Sequence, residues 1–95
     1  MATKRIDFEV AGNTDAYWIV VEKQFVKLRN GSGSRKLKIR DTEYLITGHV
    51  VGDTNESAKF TVKDSGRKLL EFEVKVPKKK SRDVGVDYAY FWVRE

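Results

Sequence analysis

The sequence predicts an all-β fold: a single-domain antiparallel β-sandwich of seven or eight strands over residues 1–95, with a barrel as the second choice. Three observations lead there. Short runs alternate apolar with polar side chains, the period of a half-buried strand. Turn residues punctuate the chain about every ten positions. No stretch carries a 3.6-residue apolar stripe behind an N-cap, so no helix is expected.

The elements follow in order. Ile6, Phe8 and Val10 alternate with Asp7 and Glu9, which sets a first strand over residues 4–10, followed by the turn residues AGNTD. AYWIVVE, residues 16–22, is β-branched and aromatic on both faces and reads as a central strand, which FVKLR at 25–29 continues past a kink. NGSGS at 30–34 reads as a flexible connector opened by an Asn-Gly turn. RKLKIR then turns Leu37 and Ile39 to one face and Lys36, Lys38 and Arg40 to the other. EYLITGHVV at 43–51 is the next strand, with Gly48 as a candidate bulge.

The clearest element is a hairpin over SAKFTVKDSGRKLLEFEVKV. A three-residue Asp64-Ser65-Gly66 loop predicts Phe60 opposite Leu70, Lys63 opposite Arg67 and Lys59 opposite Glu71. Pro77 ends that strand, PKKKSRDVG is a basic loop, and residues 86–94 form the last strand. The expected core is Ile6, Phe8, Val20, Leu37, Ile39, Phe60, Val62, Leu70, Phe72, Val74 and Phe91.

Composition narrows the function classes. With no cysteine there is no disulfide staple and no thiolate nucleophile or ligand, which fits a reducing compartment. No apolar leader or membrane-length run is visible, so the expectation is a soluble cytoplasmic protein without membrane insertion, nuclear as an option in a eukaryote. The formal charge of +5 favours anionic partners at low salt without requiring one. The sequons at Asn30 and Asn55 read as coincidences in turns.

Catalytic and metal-binding patterns are weak. His49, the only histidine, falls within a strand and reads as a polar residue on a sheet face rather than as a base or ligand. DTNES at 53–57 lacks the glycine and flanking helices of a calcium loop, and NGSGSRK lacks the spacing and helix of a phosphate loop. The chain is expected to be no enzyme and to need no cofactor or metal.

PKKKSR resembles a short nuclear-localisation pattern, and its Lys78, Lys79, Lys80 and Arg82 are candidate phosphate contacts, although short basic runs are abundant and a solvated loop is the stronger reading. The last strand is the most informative segment. In DYAYFWVRE, Ala89, Phe91 and Val93 share one face and Tyr88, Tyr90, Trp92 and Arg94 the other, so both faces are apolar or aromatic.

Three expectations follow from that second face. The first is a small non-catalytic interaction module that engages a protein partner, or itself, through an aromatic sheet face. The alternative is a nucleic-acid or polyanion platform, if these rings adjoin Lys36, Lys38 and Arg40. The last is carbohydrate binding on flat exposed rings. Exposure of the rings and their distance from the basic strand separate these readings.

Overall fold

A computed structural model describes residues 2–78 and 82–95, the side chain of Arg82 excepted. Eight strands follow one another: β1 (Thr3–Gly12), β2 (Ala16–Val21), β3 (Gln24–Val26), β4 (Ser32–Lys38), β5 (Tyr44–Asp53), β6 (Ser57–Asp64), β7 (Arg67–Lys75) and β8 (Arg82–Phe91). They form two antiparallel four-stranded sheets, ordered β4-β1-β6-β7 and β3-β2-β5-β8. No helix occurs among the described residues, and none is long and apolar enough to cross a membrane. The sheets pack face to face as a β-sandwich, with β7 against β8 at one flank and β4 against β3 at the other.

The core lies between the sheets. The first sheet turns Ile6, Phe8, Val10, Leu37, Ala58, Phe60, Val62 and Val74 inward, and the second supplies Ile19, Val21, Val26, Tyr44, Ile46, Val50 and Phe91. Burying an aromatic side chain such as Phe8 or Phe60 contributes about 3 kcal/mol. Most of the expected core residues are there. Ile39, Leu70 and Phe72 pack against it half-buried. Val20 is the exception, because the buried phase of β2 runs through Ile19 and Val21 and turns Val20 to the outer face.

Several elements differ from expectation for identifiable reasons. FVKLR does not extend β2. A turn at Glu22-Lys23 folds the chain back, so that Val21 faces Gln24 and Phe25 faces Val20. Glu22 adopts φ +57°, and tertiary contacts hold it there: Leu45 N donates to its carboxylate at 2.9 Å, its own N–H donates to Leu45 O at 2.9 Å, and Arg40 Nη2 donates at 2.7 Å. The NGSGS connector is tighter than expected. Asn30 and Gly31 form the turn, and Ser32–Ser34 already belong to β4.

The β6–β7 hairpin takes another register. Ser65 and Gly66, at φ +52° and +85°, form a two-residue turn that sets Asp64 opposite Arg67. A bulge between Val62 and Lys63 then places Phe60 opposite Phe72 and Lys59 opposite Glu73. The two phenyl rings stack at 5.3 Å, a pairing the three-residue loop forgoes. Gly48 is no bulge, since β5 pairs without interruption on both sides. It lies under Phe60, where a Cβ would stand 3.0 Å from the ring.

Candidate interaction face

The outer faces of the two sheets have opposite chemistry. On the first sheet, β1 presents Arg5, Asp7 and Glu9, β4 presents Lys36 and Lys38, β6 presents Lys59 and Lys63, and β7 presents Glu71 and Glu73. These charges pair locally, as in Arg5–Asp7 at 3.1 Å and Lys63–Glu9 at 3.2 Å. Such a face is built to stay in water.

The second sheet is built otherwise. Its outward side chains line up in rows across the strands. One row runs Phe25, Val20, Thr47, Tyr88; the next runs Trp18, His49, Val86; the third runs Ala16, Val51, Val84; and Leu45 pairs with Tyr90. None of these twelve positions carries a formally charged side chain at neutral pH. Phe25 is 68% exposed, Val86 55%, Tyr88 61% and Tyr90 53%. An antiparallel sheet with one solvated face alternates apolar inside and polar outside. The first sheet obeys this rule, whereas the second carries apolar side chains on both faces.

The centre of the face is ordered by ring contacts. Trp18 stacks on His49 with centroids 5.0 Å apart and planes 9° from parallel, and Tyr88 meets Tyr90 edge to face at 6.0 Å. His49 Nδ1 is shielded from solvent and has no hydrogen-bond partner in the protein. Burial lowers the His49 pKa below its usual value, which favours the neutral ring at the middle of an uncharged surface.

The candidate residues therefore fall into separate groups. Tyr88 and Tyr90 lie on the apolar face, and Trp92 follows just beyond β8 with the Arg94 guanidinium 4.0 Å above its ring. Lys36 and Lys38 lie on the other sheet, on the edge strand of the opposite flank. The two sets do not share a surface. Arg40 is occupied: it donates to Glu22 and to Glu43 O, both at 2.7 Å, and to Thr42 O at 3.2 Å, while stacking on Tyr44 at 3.6 Å. Lys78 is exposed after β7. Lys79 and Lys80 lie outside the described residues, as does the side chain of Arg82, whose backbone pairs with Asp53.

Sequence reasoning found one strand of this face and missed three. Trp18, Phe25, His49 and Val86 join Tyr88 and Tyr90 only through the strand order β3-β2-β5-β8. A local signal existed nonetheless: in the four strands of the second sheet the second face is free of charge except at the terminal pair Asp53 and Arg82.

Other features add little chemistry. Two open depressions, of about 340 and 490 Å³, are lined by Arg5, Asp7, Phe8, Glu9 and Ser32–Ser34, and by Ala11–Asn13, Ser57, Lys59 and Glu73. Neither contains the histidine. Among the described residues no group of acidic, histidine or cysteine side chains is arranged to hold a metal ion. In comparisons with known proteins, the chain matches no family model, no curated protein and no solved structure.

Proposed function

We propose that this chain is a non-catalytic interaction module that docks a protein surface through the outer face of the β3-β2-β5-β8 sheet. One observation carries the reading: twelve outward positions, with no formal charge at neutral pH, leave large apolar side chains in water. Contiguous apolar surface of a few hundred Å² or more marks interaction sites in soluble proteins. Aromatic enrichment with depletion of charge matches the centre of protein interfaces.

The composition of the face favours a protein over the other ligands. A polyanion laid across Tyr88 and Tyr90 meets neither Lys36 nor Lys38, which occupy the opposite sheet. A sugar needs polar groups around its stacking ring, and this face is mostly aliphatic, with hydroxyls only at Thr47, Tyr88 and Tyr90. The imidazole of His49 is packed between Trp18 and Val86 without an acid or nucleophile bonded to it, so the reading includes no catalysis and no cofactor. The cysteine-free composition fits a cytoplasmic setting.

The absence of native cysteine makes the test direct. Single cysteines at Val86 and at Lys36 are introduced into the full chain and exposed to a maleimide in the producing cell. The interaction reading predicts that Val86→Cys reacts at least about tenfold more slowly than Lys36→Cys, and that both react fast after denaturation. Equal labelling in the cell overturns it.

A further inference from the structure

We infer that the occupant of this face is a second copy of the same chain, packed sheet to sheet as a closed dimer. The inference rests on the interaction reading above and commits it to one partner.

Charge is the first argument. Each chain carries +5, yet the twelve outward positions carry no formal charge at neutral pH, and the outward phase of β5 reaches a charge only at Asp53, its last residue. The sandwich places the charged outer face of the first sheet one layer behind, about 10 Å away. In a dimer joined through the second sheets, the two charged faces lie about 30 Å apart, several times the Debye length of about 8 Å at physiological salt. Repulsion between those two charged faces is therefore largely screened in the dimer. A face of this kind offers no charge by which to select a charged partner, and it has the apolar character found where identical subunits meet.

Area is the second argument. Four strands spaced about 4.8 Å apart, with side chains at the margins, span about 20 Å, and the mean strand length gives about 25 Å in the other direction. The flat projection is about 500 Å² per copy, or about 1,000 Å² for the pair before side-chain relief is added. That reaches the threshold which specific interfaces clear. Both copies also share one right-handed twist, and this lets equal sheets pack aligned at about 30°.

The edges supply the third argument, because they direct association to the face. At the β8 edge, the N–H groups of Val84 and Tyr88 donate to the carboxylates of Asp83 and Asp87, each at 2.8 Å, rather than standing open to another strand. At the opposite edge, β3 is three residues long, and Arg35 of β4 closes over it by donating to Phe25 O at 3.3 Å and to the Gln24 side chain. Short or blocked edges resist strand addition. For the second sheet this favours a face-to-face contact, which two-fold symmetry closes at two copies.

Sedimentation of the purified full chain between about 1 and 200 μM tests the inference. The expected result is a species of twice the 11.0 kDa chain mass, and Val86→Lys raises its dissociation constant at least about 100-fold by burying an unpaired charge. Lys36→Glu, on the first sheet, leaves association unchanged. Tyr88→Lys repeats the experiment should Val86→Lys lose its folded circular-dichroism spectrum. A monomer throughout the range overturns the dimer, as does a dimer that Lys36→Glu breaks and both face variants spare. If the purified chain is monomeric while Val86→Cys is protected in the cell, the face binds a different protein: the dimer falls and the interaction reading stands.

Discussion

The indole of Trp18 lies flat against the imidazole of His49, 5.0 Å between centroids and 9° from parallel, across the β2–β5 pair at the middle of the apolar face. Tyr17 and Gly48, the residues beside them in sequence, turn inward and serve the core, so this stack belongs wholly to the outer surface. Val86 flanks His49 from β8, and Thr47 and Val51 flank it along β5. Every side chain facing the imidazole from these strands is uncharged.

This environment predicts an acid-sensitive fold. Burial depresses the folded-state pKa of His49, so between that value and the unfolded value of about 6.5 the unfolded chain binds more protons. Stability is then fully present above about pH 6.5 and declines as pH falls through the window beneath it. Urea midpoints at about pH 7.5 and pH 5 check this: the wild-type midpoint falls, while His49→Gln removes most of the change. An imidazole that titrates by NMR at or above the usual value contradicts the argument.

A second, lower pH window belongs to Asp64, whose buried carboxylate accepts from Lys4 Nζ at 2.9 Å and from Ser65 Oγ at 3.3 Å. The Lys4 hydrogen bond holds its pKa below the ordinary carboxylate value. Its contribution is present above about pH 4 and is lost as pH falls through the depressed folded value. Asp64→Asn is expected to cost about 1–3 kcal/mol at pH 7, with the gap from wild type closing as pH falls through that depressed value. A gap that persists there points to lost packing rather than a lost ion pair.

Gly48 gives a steric prediction. A Cβ at this position would stand 3.0–3.2 Å from three carbons of the Phe60 ring, and that ring is itself stacked on Phe72. Gly48→Ala should cost about 1 kcal/mol and Gly48→Val about 3 kcal/mol, as overpacked core positions do. At this chain length each kcal/mol lowers the melting temperature by about 4–8 °C. If Gly48→Val melts like wild type, the ring is free to move aside and the close packing described here is wrong.

How far the sequence carried the fold depends on which interactions decide each feature. Alternation within β1, β6 and β7 is local, so Phe8, Phe60 and Val74 were legible as core. The fold-back at Glu22 was not. It places a non-glycine residue at positive φ and relies on Arg40 and Leu45, 18 and 23 residues away. The β6–β7 register turned on one residue of loop length, which the Phe60–Phe72 stack and a bulge decide. For the face, DYAYFWVRE showed an aromatic strand, but strand order determines its neighbours. That order is set by long-range pairing: Trp18 meets His49 across 31 positions of sequence, and His49 meets Val86 across 37.

The aspartates along β8 lead to the last prediction. With the N–H groups of Val84 and Tyr88 bonded to Asp83 and Asp87, this edge offers fewer donors to an incoming strand, although its side chains are strongly β-forming. Asp83→Val with Asp87→Val frees both donors and removes two negative charges. The pair should aggregate at least about tenfold faster, with a thioflavin signal, because an exposed, flat, apolar edge templates further strands. Asp83→Asn with Asp87→Asn separates the two causes, since the amide oxygen still accepts while the charge is gone. If capping protects the edge, the asparagine variant stays close to wild type in aggregation rate. If it aggregates as fast as the valine variant, charge repulsion alone guards β8, and the edge hydrogen bonds have no part in directing association to the face.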